Sequence, residues 1–205
     1  MIPDYWSEAV QTLSTSDCQM AELIARYPGA GLVSRGDPFA TLARSIVGQQ
    51  ISVQAADAVW QRVLVRLTPL APETVLQLGP AGLMGCGLSQ RKIEYLHDLA
   101  QHFVDGLLRP AAWEMMGDEQ LIATLCAVRG IGRWTAEMFL IFNQLRPDVF
   151  PLDDIGLQRA VFGHYFAGER QSRAALADFG QRWRPWRSVA TWYLWRSLDP
   201  LPVAY

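Results

Sequence analysis

The chain has 205 residues, half of them apolar, and a formal net charge of −2. That length supports one sizeable core or two small lobes sharing an interface. No apolar run approaches the roughly 20 residues that span a bilayer, so no membrane partner is expected. Residues Met1 to Trp6 carry Asp4 and no basic cluster, unlike a secretory signal. Cys18, Cys86 and Cys126 are odd in number and far apart. They suit neither a disulfide framework nor a CxxC metal knuckle, and a reducing cytoplasm is the expected setting. The slightly acidic balance lacks the overall basic character of most nucleic-acid domains. The basic residues are nonetheless almost all arginine, Lys92 being the only lysine. They gather locally, Arg129 with Arg133, and Arg182, Arg184, Arg187 and Arg196 near the C-terminus. Arginine pairs with phosphate through a bidentate fork, so an acidic chain can still present one basic face.

Helical periodicity dominates the chain, and strand alternation is scarce. Residues 1–36 carry amphipathic helical patterns. Phe39, Leu42, Ile46 and Val47 repeat at helical spacing after Asp37-Pro38, a cap followed by proline in the first turn. A second helix starts at Ser52 and carries Ala55, Val59, Trp60 and Val63. Gly79-Pro80 and Gly85-Cys86-Gly87 punctuate the next stretch. Ser89 then caps a helix with Ile93, Leu96, Leu99, Ala100 and Phe103 on one face. Further helices are predicted over Asp118–Ala127, Arg133–Asn143, Ile155–Tyr165, Gln171–Arg182 and Val189–Leu198. The connections are short and polar, and neither a repeat nor a low-complexity stretch occurs. The pattern predicts an all-α protein.

Two blocks hold the residues on which chemistry could rest. In Leu125-Cys126-Ala127-Val128-Arg129-Gly130-Ile131-Gly132-Arg133-Trp134-Thr135-Ala136 a helix ends, a Gly-x-Gly turn follows, and another helix begins. Glycine permits positive φ and close backbone approach. The second helix then offers N–H groups and the positive end of its dipole, a cradle for phosphate flanked by Arg129 and Arg133. About twenty residues on comes Phe150-Pro151-Leu152-Asp153-Asp154-Ile155-Gly156-Leu157-Gln158-Arg159. By themselves, paired carboxylates at this place read as helix caps, and a lone Gly-x-Gly reads as a helix–helix turn.

Together the two blocks resemble the helix–hairpin–helix DNA glycosylase superfamily, in its alkylation-repair branch, similar to 3-methyladenine DNA glycosylase II. The resemblance runs from about Asp37 to Leu198. Three further segments carry it. They are Arg44-Ser45-Ile46-Val47-Gly48-Gln49-Gln50-Ile51-Ser52, Gly87-Leu88-Ser89-x-x-Lys92, and Trp186-Arg187-Ser188-x-Ala190-x-x-x-x-Trp195. It implies the two-lobed all-α helix–hairpin–helix glycosylase fold, with Asp154 in the cleft between the lobes. About 36 residues precede the matched region, too few for the extra N-terminal β domain of longer relatives. The expected organisation is an N-terminal helical segment over 1–36, a glycosylase core over 37–198, and a tail over 199–205.

The family's catalytic aspartate falls on Asp154, with Arg159 five residues on, leaving Asp153 as a cap or hydrogen-bond acceptor. Departure of a base leaves oxocarbenium-like positive charge on the sugar. A fixed carboxylate stabilises that charge more than it stabilises the neutral ground state. Bifunctional members place a lysine where this chain has Trp134. The resemblance therefore implies a monofunctional enzyme that uses water. The four-cysteine iron–sulfur loop of other branches is missing as well. Trp134 and Trp195 would line the base pocket, with Met138 one turn after Trp134 and Phe39 as a further candidate. Electron-poor alkylated purines favour indole faces. Gln50, with Gln49, would fill the gap left by the flipped nucleotide. Gly130, Gly132, Arg133 and Thr135 would hold phosphate. The backbone carbonyls of Cys126, Val128 and Ile131 would hold a structural sodium, potassium or magnesium ion, and no catalytic cofactor is required. The implied partner is double-stranded DNA carrying a damaged base, bound weakly at undamaged sites and released by salt. The implied enzyme is monomeric, cytoplasmic and nucleoid-associated, of bacterial type. Two other readings stay open: the same fold acting on hypoxanthine, ethenoadenine or uracil, and a hairpin DNA-binding protein without catalysis.

Overall fold

Short polar residues start half of the helices. Asp17, Asp37, Ser52, Ser89, Asp154 and Ser172 each accept a hydrogen bond from the backbone N–H three residues on. Such a cap satisfies one of the donors that a helix start leaves without an intrahelical acceptor. The computed structural model describes residues 2–199, and no strand occurs among them. The helices are α1 (Trp6–Ser16), α2 (Cys18–Ala25), α3 (Pro38–Gly48) and α4 (Val53–Arg66). There follow α5 (Pro72–Gly82), α6 (Gln90–Val104), the short α7 (Pro110–Trp113) and α8 (Asp118–Cys126). The last four are α9 (Arg133–Phe142), α10 (Ile155–Tyr165), α11 (Arg173–Phe179) and α12 (Arg187–Leu198). No described helix is long and apolar enough to cross a membrane.

The chain divides into two compact units. One is Arg35–Phe139. In it α6 packs against α3 and α5, and α3 packs against α4. Leu42, Ile46, Leu83, Leu96 and Leu99 are completely buried there. Trp113 sits edge-on between Phe103 and Phe139. The other unit joins residues 2–34 to residues 140–199. Here α12 contacts α1, α2 and α10, and every residue from Ser188 to Leu194 is buried. Its floor is aromatic. Trp183 meets Phe150, Tyr165 and Phe179, and its indole N–H donates to Asp17 at 3.0 Å. Of the tail expected over 199–205, all but Asp199 lies outside the described residues.

One boundary differs from the sequence pattern. The helix predicted over Gln171–Arg182 is α11 followed by a separate 3-10 turn, Gly180–Trp183. Gly180 presses on Phe150, where an added Cβ would lie 2.4 Å from the ring, and the tighter turn swings Trp183 inward. Within α5 the backbone leaves the helical conformation at Gly79, at φ 67°, so two helical pieces meet at a kink where Gly79-Pro80 punctuates the sequence.

Candidate active-site residues

Asp154 caps α10 and is buried, 9% exposed. Its Oδ1 accepts two hydrogen bonds, from Leu157 N–H at 2.6 Å and from the Trp195 indole Nε1–H at 2.8 Å. Backbone and side chain together thus fix the orientation of the carboxylate. The Trp195 ring stacks on Phe142, centroids 5.7 Å apart and planes 15° apart. Gly156 makes room for the pair: a Cβ there would stand 3.1 Å from Asp154 Oδ1 and 3.3 Å from Trp195 Cδ1. Glycine is otherwise a poor choice in a helix, so its presence two residues after a candidate carboxylate was a signal available in the sequence. Phe142 carried no such signal.

The loop that delivers Asp154 is clamped along its length. Arg187 donates to Asp148 Oδ1 at 2.6 Å, Oδ2 at 3.0 Å and the Asp148 carbonyl at 2.9 Å. The Ser188 hydroxyl accepts from Val149 N–H at 2.9 Å, and Ser188 N–H donates to the Pro147 carbonyl at 2.9 Å. Gln158 Nε2 donates to the Leu152 carbonyl at 2.8 Å. The Trp186-Arg187-Ser188 signature therefore anchors the segment leading to Asp154, while Trp195 of the same signature touches Asp154 itself. Asp153 points elsewhere: its carboxylate pairs with Arg173 at 2.8 Å. The helix cap is Asp154, and Asp153 is an exposed ion-pair partner. Arg159 lies exposed on α10. Replacing Trp195 with Phe removes one donor to the carboxylate and leaves an aromatic ring on Phe142. A hydrogen bond to a charged group contributes about 1.5–3 kcal/mol. Trp195→Phe is accordingly expected to slow base excision by roughly ten- to a hundredfold. Single-turnover kinetics check this, and an unchanged rate would remove the positioning role.

In the other unit, the hairpin between α8 and α9 is braced by α6. The Asp98 carboxylate accepts from Arg129 N–H at 2.8 Å and from Arg129 Nε at 3.0 Å. Gly130 adopts φ 85°, and a Cβ on it would stand 2.2 Å from the Tyr95 ring. Gly132 differs: its φ is not positive, and an added Cβ would meet nothing within 4 Å. The turn thus uses its first glycine for conformation and packing and its second for an open backbone face. Gln49 Nε2 donates to the Gly130 carbonyl at 2.8 Å, tying the α3–α4 turn to the hairpin. Gln50 follows, exposed and at φ 59°, a left-handed conformation that costs a non-glycine residue about 1–2 kcal/mol.

A cavity of about 290 Å³ opens in this unit, at the lower edge of the small-ligand range of about 300–1,000 Å³. Trp134, Thr135 and Met138 of α9 and Gln49 and Gln50 line it. Of its charged residues, Arg35, Arg44 and Asp57, the last two pair at 2.6 Å. Trp134 is 38% exposed, a large apolar surface left open on this helix. Phe39 does not line the cavity. It is buried, with its ring edge-on to Phe103, so the structure gives it a place in the core. Arg133, expected at phosphate, bridges Glu119 and Glu137. The pairing raises its pKa above the usual arginine value and lowers that of Glu119. Its donors serve α8 and its own helix, an ion-pair network that the sequence pattern did not indicate. Cys126 ends α8, and the Val128 carbonyl accepts from Ile131 N–H at 3.1 Å. Among the described residues no group of three His, Cys, Asp or Glu could hold a metal ion.

With the braced hairpin and the anchored carboxylate in view, the class follows. Residues 43–185 match the HhH-GPD superfamily of base excision DNA repair proteins, and the chain belongs to that superfamily. A solved structure of DNA-3-methyladenine glycosidase from Bacillus halodurans superposes with a TM-score of 0.86 at 34% identity, over 93% of this chain and 89% of that one. The Schizosaccharomyces pombe 3-methyladenine DNA glycosylase in complex with abasic DNA gives a TM-score of 0.77 at 28% identity, over 95% and 98% of the two chains. DNA-3-methyladenine glycosylase 2 of Escherichia coli is 30% identical over 86% of this chain and 63% of its own length.

Proposed function

We propose that this protein is a base-excision DNA glycosylase that flips an alkylated purine of the 3-methyladenine type from double-stranded DNA and hydrolyses its N-glycosidic bond, leaving an abasic site. The observation that carries the proposal is the buried carboxylate of Asp154, held by Leu157 N–H and Trp195 Nε1–H. As the base leaves, positive charge gathers on the sugar, and a carboxylate already oriented by the protein stabilises it without reorganising. Asp154 also serves to orient the attacking water. The two units contribute different parts of this work. The hairpin turn at Gly132 and the first turn of α9 receive phosphate, and Gln50 fills the vacated position in the duplex. Trp134, on the wall of the cavity, offers an indole face to an electron-poor base. Glycosidic bonds of alkylated purines are already weak, so modest stabilisation suffices. The hairpin carbonyls of Cys126, Val128 and Ile131 are the groups that would hold a cation bridging to phosphate.

The reaction is proposed to be monofunctional. Trp134 stands where a lysine nucleophile would be needed, and the ammonium of Lys92, the only lysine, is engaged by the carbonyls of Val47 and Gln49. Borohydride added during turnover is expected to trap no covalent protein–DNA adduct; a trapped adduct would establish a lyase step. The substrate class is tested with duplexes carrying 3-methyladenine, 7-methylguanine, 1-methyladenine, hypoxanthine and ethenoadenine. Release of methylated purines ahead of the other two supports the proposal. Preference for hypoxanthine or ethenoadenine would reassign the substrate, and no release from any duplex would leave a DNA-binding protein without catalysis.

A further inference from the structure

Lys92 lies on α6, yet its ammonium reaches the end of α3, 2.8 Å from the Val47 carbonyl and 2.7 Å from the Gln49 carbonyl. The last carbonyls of a helix have no intrahelical donor, and the helix dipole favours a cation beside them. Gln49 is tied a second time, through its side chain to the Gly130 carbonyl at 2.8 Å. The next residue is Gln50, held at φ 59°. Two further residues of α6 complete the arrangement. Tyr95 lies against Gly130, and Asp98 accepts the Arg129 N–H. At three-residue spacing along one helix, Lys92, Tyr95 and Asp98 hold both the α3–α4 turn and the hairpin. Partial burial lowers the pKa of Lys92.

We propose that Lys92 is a positioning residue for duplex opening: its contacts with the Val47 and Gln49 carbonyls, together with the Gln49–Gly130 bond, keep Gln50 in its left-handed conformation at a set distance from the hairpin. The inference rests on the reading of Gln50 as the group that enters the duplex. A chain that needs a non-glycine residue at positive φ must over-determine that conformation from outside, and only Lys92 and Gln49 are placed to do so among the contacts given above.

The test compares wild type, Lys92→Met, Gln50→Ala and the double variant. Affinities are measured for an intact duplex and for one holding a tetrahydrofuran abasic analogue beside 2-aminopurine, whose fluorescence reports unstacking. Loss of charge-assisted hydrogen bonds is expected to cut the abasic-over-intact preference of Lys92→Met about tenfold and to weaken the fluorescence rise. KM for excision rises while kcat changes little. The double variant should be no worse than Gln50→Ala, because Lys92 acts through Gln50. Lys92→Arg should recover much of the preference. A purely structural lysine would shift the melting temperature and leave the preference ratio alone. Should Lys92→Met not fold, Gln49→Leu cuts the other tie and is expected to lower the same ratio. An unchanged ratio in a folded Lys92→Met or Gln49→Leu, or additive losses in the double variant, overturns the role of Lys92. A wild type with no preference for the abasic duplex overturns the glycosylase reading instead.

Discussion

Asp154→Asn is expected to slow base excision by about a hundred- to a thousandfold while affinity for an abasic-site duplex is kept. The size of the effect comes from the narrowness of the change. Asparagine has the same shape as aspartate and caps helices equally well. Its amide oxygen can still accept from Leu157 N–H and Trp195 Nε1–H, so the cap of α10 and the placement of Trp195 survive. What disappears is one buried negative charge, the part that stabilises a developing oxocarbenium ion. Single-turnover kinetics on a methylated duplex and binding to an abasic duplex separate the two consequences. Asp153→Asn is the control. It weakens the exposed pair with Arg173, an interaction contributing about 0–1 kcal/mol, and excision should be unaffected. Equal loss in both variants would make the Asp153-Asp154 pair a structural cap. Retention of full activity in Asp154→Asn would move catalysis elsewhere.

Gly130→Ala and Gly132→Ala should have opposite consequences, although the two residues belong to one Gly-x-Gly turn. At Gly130 an alanine meets two penalties. The left-handed backbone at φ 85° costs about 1–2 kcal/mol for a residue with a Cβ. The Cβ would also stand 2.2 Å from Tyr95, and making room in a packed site typically costs about 1–3 kcal/mol. For a chain of this size the sum corresponds to a fall in melting temperature of roughly 5–15 °C. At Gly132 neither penalty applies, since its Cβ would meet nothing within 4 Å. Gly132→Ala should melt close to wild type and bind duplex more weakly, because the methyl group would stand on the face proposed to receive phosphate. Thermal melting paired with binding at low salt reads both. A Gly132→Ala protein that binds normally would detach the hairpin from phosphate. A Gly130→Ala protein with unchanged melting would show that Tyr95 yields at little cost.

How far the site could be foreseen depended on how local each interaction is. Asp154 stood out only through the resemblance, which left the cap to Asp153; that Asp154 itself caps α10 is a contact the structure supplies. Trp195 was reachable through its signature, although its hydrogen bond to Asp154, 41 positions away, was not. Arg133 was less local. Its neighbours in sequence suggested phosphate, while its actual partners include Glu119, fourteen positions earlier on α8. Phe39 was equally ambiguous, since an aromatic at helical spacing fits a pocket wall and a core alike. Its contact with Phe103 decides for the core.

The sequence by itself determined the helical class, most helix starts, the two chemistry-bearing blocks and the lysine missing from the hairpin. These rest on capping residues, 3.6-residue periodicity and residue identity, all of which act over one or two turns. Only the tertiary structure decided which glycine of the hairpin is conformational and which is open. It also assigned Asp153 to Arg173, made Gly156 room for Trp195, and set Lys92 against the end of α3. Each of these depends on which side chain lies opposite across a helix packing or a loop. That pairing is set by the packing of the core, where many sequence-distant residues must fit at once, and no local pattern records it.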